Sequence, residues 1–245
     1  MFETMKNELT IAVITVLSLV TPGAKGVNVL LDGSKWGHGQ TANINDYVDK
    51  TINMLVPFIQ SNGLDPMSLP DVVEGFEVKP IWITYSAWLK IHDGYMTGLV
   101  NLSRSGDQKV NYFAKMLRIR VQLKFSDLTI NYKYLVKVMN LGPTGGIIGS
   151  INRLEVVADV LFDFNNDEIQ LQEFSLTDIG RLRVRLTGNK LVDWLVNPVM
   201  NVFLRIYNTI IIDVVEINIV SAIQNGINFI NANLQDSIKY LESYN

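Results

Sequence analysis

Residues 117–138 constrain the fold more than any other stretch. Leu117, Ile119, Val121, Leu123 and Phe125 are interleaved with Arg118, Arg120, Gln122 and Lys124. After Ser126-Asp127 the pattern resumes, with Leu128, Ile130, Tyr132, Tyr134, Val136 and Val138 on one face. Thr129, Asn131, Lys133 and Lys137 hold most of the other. Successive strand residues point to opposite faces, so this period predicts two amphipathic strands around a short polar turn. One greasy and one wet face suit an antiparallel sheet with solvent on one side.

The greasy face needs a cover, and the C-terminal quarter of the chain supplies it. Ile206, Ile210, Val214, Ile217, Val220, Ile223, Ile227, Ile230, Leu234, Ile238 and Leu241 recur every three or four residues, a stripe at helical spacing. Its β-branched residues are weak helix formers, so packing against the sheet must hold it. A curved sheet wrapped on a long helix encloses an elongated apolar interior.

The other segments fit this frame. A helix is predicted over 43–62, with Pro57 kinking or shortening it and Asn62-Gly63 ending it. Next comes a strand over 78–92, with Ile81, Ile83, Tyr85, Ala87, Leu89 and Ile91 on one face and Trp82 and Trp88 on the other. Asp93-Gly94 predicts a hairpin, with a return strand over 95–104 and a further turn at Ser105-Gly106-Asp107. The glycine-rich stretch 142–150 reads as a mobile loop. Strands follow over 154–164, 169–176, with a bulge where the alternation slips, and 182–186. Asn197-Pro198 is expected to divide a short helix from the long one. Helix, antiparallel strands, then helices make an α+β fold of one domain, 43–245.

Ahead of that domain, Lys6 precedes a 12-residue apolar run broken by Thr21-Pro22-Gly23, and small residues follow. This predicts a secretory signal peptide over 1–26, cut before Val27, and a flexible glycine-rich leader over 27–42. The run is too short to span a bilayer, and no other segment reads as a transmembrane span. The expected location is therefore extracellular.

Several chemistries are excluded by composition. With no cysteine there is no disulfide, thiol nucleophile or thiolate metal site, and His38 and His92 are the only histidines. A net charge of −3 gives no global attraction to nucleic acid. Gly142-Pro143-Thr144-Gly145-Gly146 lacks the lysine and following helix of a phosphate loop. Asp163, Asn165, Asp167 and Glu168 resemble the start of a calcium loop, but Glu168 replaces the turn glycine and Phe174 the closing glutamate. No nucleophile elbow or zinc motif occurs. The chain therefore reads as non-enzymatic, with no cofactor and no metal. Arg118, Arg120, Lys124, Arg181, Arg183 and Arg185 would form a basic stripe if their strands were neighbours, which makes an anionic lipid surface a candidate partner. Asn101-Leu102-Ser103 is an N-glycosylation sequon in a secreted chain.

Three stretches carry a family resemblance. The helix over 43–62 followed by Leu64-Asp65-Pro66-Met67-Ser68-Leu69-Pro70-Asp71 is similar to the start of the group 7 mite allergens. So are Gly98-Leu99 through Ser103-Arg104-Ser105-Gly106-Asp107, and Leu191-Val192-Asp193-Trp194 to Asn201-Val202-Phe203-Leu204. The resemblance implies a super-roll, a curved antiparallel sheet around a long C-terminal helix. That fold is akin to juvenile-hormone-binding and takeout proteins and to halves of the bactericidal/permeability-increasing and lipopolysaccharide-binding proteins. Members hold lipids or other apolar ligands in a tubular interior.

Together these readings predict a secreted carrier or sequestering protein for a lipid-like small molecule. The alternative is a surface-recognition module for microbial lipid or a partner protein, its interior filled by its own side chains. Ligand pockets are mostly apolar with few polar groups. The expected lining is Tyr85, Leu89, Ile119, Val121, Leu123, Ile130, Tyr132 and Tyr134 from strands, with Trp194, Phe203, Tyr207 and Ile210 from helices. Tyr132 and Tyr134 are expected to offer hydroxyls to a polar headgroup.

Overall fold

The computed structural model describes residues 40–80, 82–139, 142–188, 191 and 193–242, and the side chains of 43–234 among these. The expected signal peptide and most of the expected leader lie outside the described residues. The end of that leader is strand β1 (Gln40–Asn43), so the folded chain reaches further forward than residue 43. Helix α1 (Asn45–Ser61) follows and runs on past Pro57, and Gly63 ends it with a positive φ of 67°.

Ten antiparallel strands form one sheet. Its axis is a pair of long strands, β7 (Met116–Val138) and β8 (Thr144–Asp163), registered residue for residue from Met116↔Asp163 to Leu135↔Thr144. The outer edge of β7 is lined in tandem by β4 (Tyr85–Thr97), β5 (Leu102–Arg104) and β6 (Lys109–Phe113). The outer edge of β8 carries β9 (Glu168–Ile179) and β10 (Leu182–Gly188) in the same way. β2 (Met67–Leu69) and β3 (Val72–Val78) pair with β4, and β1 pairs with β6.

This architecture corrects three turns expected from sequence. Ser126-Asp127 does not reverse the chain, because β7 is one strand of 23 residues. Asp127 takes a positive φ of 55°, which exchanges the inward parity: Phe125 and Leu128 are both buried. β8 exchanges its parity at the same level, between Ile151 and Leu154, so the register survives. The break between β9 and β10 falls there too, with Ile179 opposite Leu154 and Leu182 opposite Ile151. The result is a transverse crease.

Asp93-Gly94 is not a hairpin but a bulge inside β4, between His92↔Lys133 and Tyr95↔Asn131. Asp93 has a φ of 53°, the left-handed backbone that a hairpin turn would also demand. A side chain at Gly94 would collide with the Tyr132 ring, so the glycine also seats that ring. Ser105-Gly106-Asp107 likewise joins two strands that continue in one direction along β7. In that gap the buried Gln108 amide stands in for a strand: its Oε1 accepts from Gln122 N–H at 2.6 Å and its Nε2 donates to Gln122 O at 3.2 Å.

The stretch 142–150 is not a mobile loop either, since residues from Thr144 onward are strand, held between β7 and β10. A side chain at Gly145 would strike the Thr187 carbonyl and the Tyr134 ring.

The inner face is covered by α2 (Asp193–Ile206), a π-helical turn (Tyr207–Ile211) and α3 (Ile212–Glu242), which form one continuous helix. Pro198 does not divide it; the irregularity comes at the π turn. That turn inserts about one residue into the helical repeat. The buried line becomes Ile206, Tyr207, Ile211, Val215, Ile219, Ala222 and Ile227. The stripe read from sequence is therefore out of phase from Ile210 to Val220, with Ile217 60% exposed, and meets the buried line again at Ile227. The helix from Asp193 to Leu234 is long and apolar enough to cross a membrane by length and composition. Here its fully buried Val199, Phe203 and Ile211 join the core against the sheet.

Candidate functional site

The crease divides the inner face into two halves of different closure. On one side, cross-strand rows such as Ile91–Tyr134 and Met96–Ile130 lie under the helix, with Leu89, Ile91, Ile130, Val136 and Ile147 wholly shielded. Phe203 fills the centre of this half and meets Tyr132 edge-on, with ring centroids 6.4 Å apart and planes at 73°. The side chains of the protein itself occupy this space.

Beyond the crease the rows are just as apolar. Leu123–Val156–Leu176, Val121–Ala158–Phe174, and Val110–Ile119–Val160–Leu171 run across β6, β7, β8 and β9. Here Ile119, Val121, Leu123, Ala158, Val160, Leu171, Phe174 and Leu176 are only half-buried. The inner face is a partly uncovered apolar groove, walled by α1 and the outer part of α3. The walls meet where the Phe58 ring comes up to Gly226; a Cβ there would sit 3.4 Å from the ring.

Specific polar contacts hold the walls. Arg104, inward-facing on β5, donates Nε and Nη2 to both Asp49 oxygens of α1 at 2.9 and 3.0 Å. This charge-assisted fork keeps the Asp49 carboxyl below its ordinary range. Asn45 accepts from Gln108 N–H at 2.7 Å and donates to Asp107. At the far end, the Asn231 amide of α3 accepts from Ile169 N–H at 2.9 Å and donates to Ile169 O at 2.8 Å, clamping the edge strand β9.

Two buried hydroxyls, Tyr47 Oη on α1 and Tyr207 Oη in the π turn, have no hydrogen-bond partner among the described residues. Burial raises the Tyr47 phenol and pushes Tyr207 up to about 12. Both are neutral at any physiological pH.

The residues expected to line the interior separate into three groups. Ile119, Val121 and Leu123 come together as the groove floor. Leu89, Ile130, Tyr132, Tyr134, Phe203 and Tyr207 come together in the filled half, with Tyr85 and Ile210 partly buried at its margins. Trp194 joins neither and is 40% exposed near the start of α2. The two tyrosines expected to greet a headgroup differ. Tyr132 donates its hydroxyl to Pro70 O at 3.0 Å, a bond internal to the fold. Burial, helped by nearby Asp71, raises its phenol; burial alone raises Tyr134. Sequence reasoning did not assign Phe58, Phe174, Leu176 and Ile223 to the site. The slip in the β9 alternation hid Phe174 and Leu176, which share a face with Leu171 only because a bulge falls between Leu171 and Glu173.

The basic stripe is not assembled. Arg118 clamps the fully buried Asp159 through Nε and Nη2, and Arg120 lies between Asp159 and Glu173. Arg183 and Arg185 lie across the crease from them on β10, opposite Ser150 and Ile148, and Arg181 immediately precedes that strand. The calcium-like residues make a hairpin: Asp163 accepts from Asn165 N–H at 2.8 Å and from the Asn166 amide. Among the described residues no cluster of His, Asp and Glu could hold a metal.

A curved antiparallel sheet packed on one long C-terminal helix defines a super-roll fold. The group 7 allergen family model matches residues 43–227, and the chain belongs to that family. Among solved structures it is similar to lipopolysaccharide binding protein, with a TM-score of 0.51 and 18% identity over 76% of this chain. It spans 39% of that protein's length, and the likeness is one of fold. Takeout 1 of Epiphyas postvittana aligns over 76% of this chain and 90% of its own, with a TM-score of 0.45 and 12% identity. No curated protein sequence matches.

Proposed function

We propose that the protein is a secreted, non-enzymatic carrier or sequestering protein for a lipid-like apolar molecule, held on the groove beyond the crease. One observation carries this reading. Ile119, Val121 and Leu123 share the inward face with the shielded residues of the same strand, yet they are left half-covered. Apolar area removed from water yields roughly 25 cal/mol per Å², so a fatty chain or isoprenoid laid along these rows binds without a dedicated polar partner. Family membership and the super-roll support the same reading. Asn101 of the sequon is exposed between β4 and β5, where a glycan would stand clear of the groove.

The alternative, surface recognition with a filled interior, is favoured by the half that contains Phe203. The two readings part on one experiment. Lipid extracted from the purified protein is identified by mass spectrometry, and a fluorescent fatty-acid probe is titrated against wild type and Val121→Lys. The carrier reading expects co-extracted lipid and about a tenfold weaker probe affinity in the variant, equivalent to about 1.4 kcal/mol. No co-extracted lipid together with no probe binding would sink it.

A further inference from the structure

The end of the roll opposite the groove carries a surface that the carrier reading leaves unused. There the end of β3, the start of β4 and the end of β7 come together, because Val78 pairs with Tyr85 and Ala87 with Val138. Trp82 is 85% exposed, Ile83 63% and Met139 70%. On the adjoining outer sheet face stands Trp88, 55% exposed, its ring lying against Gly75 of β3. Large apolar side chains so exposed at one end of the sheet mark an interaction site.

The charge around them is mainly positive. Lys137 is directly across from Trp88, Lys90 is two residues further along the same face, and Lys79 follows β3. All three are exposed, and the acid among them is Glu77, opposite Ser86. Glu74 is turned to the inner side, where Arg205 of α2 holds it.

We propose that this end docks onto an anionic lipid surface. Indole rings combine an apolar body with an N–H for the wet headgroup layer, and lysine stems lie along apolar surface while their ammonium groups reach anionic lipid. Each basic residue near such a surface adds to the attraction. A second copy of the chain fits less well: a two-fold contact sets the same patch against itself and brings lysines against lysines. The assignment differs from the arginines of β10, which lie further along the outer face toward the crease. It stands independently of what the groove holds.

The test is co-flotation of the full chain with vesicles of phosphatidylcholine alone or mixed with phosphatidylserine. The expected result is binding to the mixed vesicles that weakens with salt. Trp82→Ser with Ile83→Ser should lower affinity by about tenfold or more, since binding scales with buried apolar area. Lys137→Gln should lower it by about fivefold, the equivalent of one basic residue. All three positions are exposed, so unchanged thermal unfolding will verify the fold. Arg181→Ser, Arg183→Ser and Arg185→Ser together should change binding little. The proposal is overturned if wild type does not float, if the tip variants float as well as wild type, or if the arginine variant alone fails. It is also overturned if light scattering shows a dimer that Trp82→Ser dissolves.

Discussion

The two halves of the inner face are built from the same materials and differ in closure. In the half containing Phe203, β4, β7, β8 and β10 face α2, the π turn and the start of α3, and fully shielded residues are the rule. In the other half, rows of equal apolarity face α1 and the outer part of α3, and most positions remain half-covered. Composition does not separate them; cover does. A continuous helix lies lengthwise over the first. The second is roofed by two helices that meet at Phe58 and Gly226 and hold the sheet through Arg104–Asp49 and Asn231–Ile169. Hydrophobic residues alone therefore do not make a site. The proposed site lies where the cover is incomplete.

The largest test of this contrast is a matched pair of truncations followed by urea unfolding. Phe203→Ala removes a wholly buried ring and should cost about 3–5 kcal/mol. Val121→Ala removes half-exposed methyl groups and should cost less than about 1 kcal/mol. Equal costs would erase the distinction between the halves. A smaller effect sharpens it. Tyr132→Phe deletes the hydroxyl that donates to Pro70 O, so it should lower stability by about 1 kcal/mol and leave probe affinity in the groove unchanged. A fall in probe affinity at unchanged stability would move the ligand into the filled half.

The smallest effect concerns the α1 wall and pH. Arg104 holds the Asp49 carboxyl below its ordinary range, so this ion pair adds stability that is full above the unfolded pKa of about 4. That contribution is lost as pH falls through the lower folded value. The gap in melting temperature between wild type and Asp49→Asn should thus be present at neutral pH and close in acid. High salt should narrow it as well, since the pair is exposed. A gap that persists in acid would show that Asp49 acts by something other than its charge.

Much of the fold was legible in the sequence. Period-two alternation over 117–138 and 154–164 gave the axial strands, and the C-terminal stripe gave the helix that covers them. The errors share a physical origin. Asp93-Gly94, Ser105-Gly106-Asp107 and Ser126-Asp127 satisfy the local demands of a turn, since bulges and kinks also use left-handed or glycine backbone. Sequence alone cannot tell a reversal from a kink, because the answer lies in whether the partner strand continues. The phase of the long helix failed at Tyr207–Ile211 for a similar reason: one extra residue per turn is invisible to a spacing count. Of the candidate lining, the shared inward face of Ile119, Val121 and Leu123 was readable. Whether an inward residue is covered or left open was not.

The crease has an inheritance of its own. On either side of it the strands obey opposite rules: odd positions of β7 face inward up to Phe125, even positions from Leu128 onward, and β8 mirrors the change between Ile151 and Leu154. Each half is thus a separate reading frame for side-chain direction. A one-residue deletion within either frame turns the rest of that strand's half inside out. Segments exchanged between related chains would keep their frames if all strands were cut at Ser126-Asp127, Asn152-Arg153 and Gly180-Arg181. Recombination at this line can therefore pair a new groove half with an old core without rebuilding what holds the protein together.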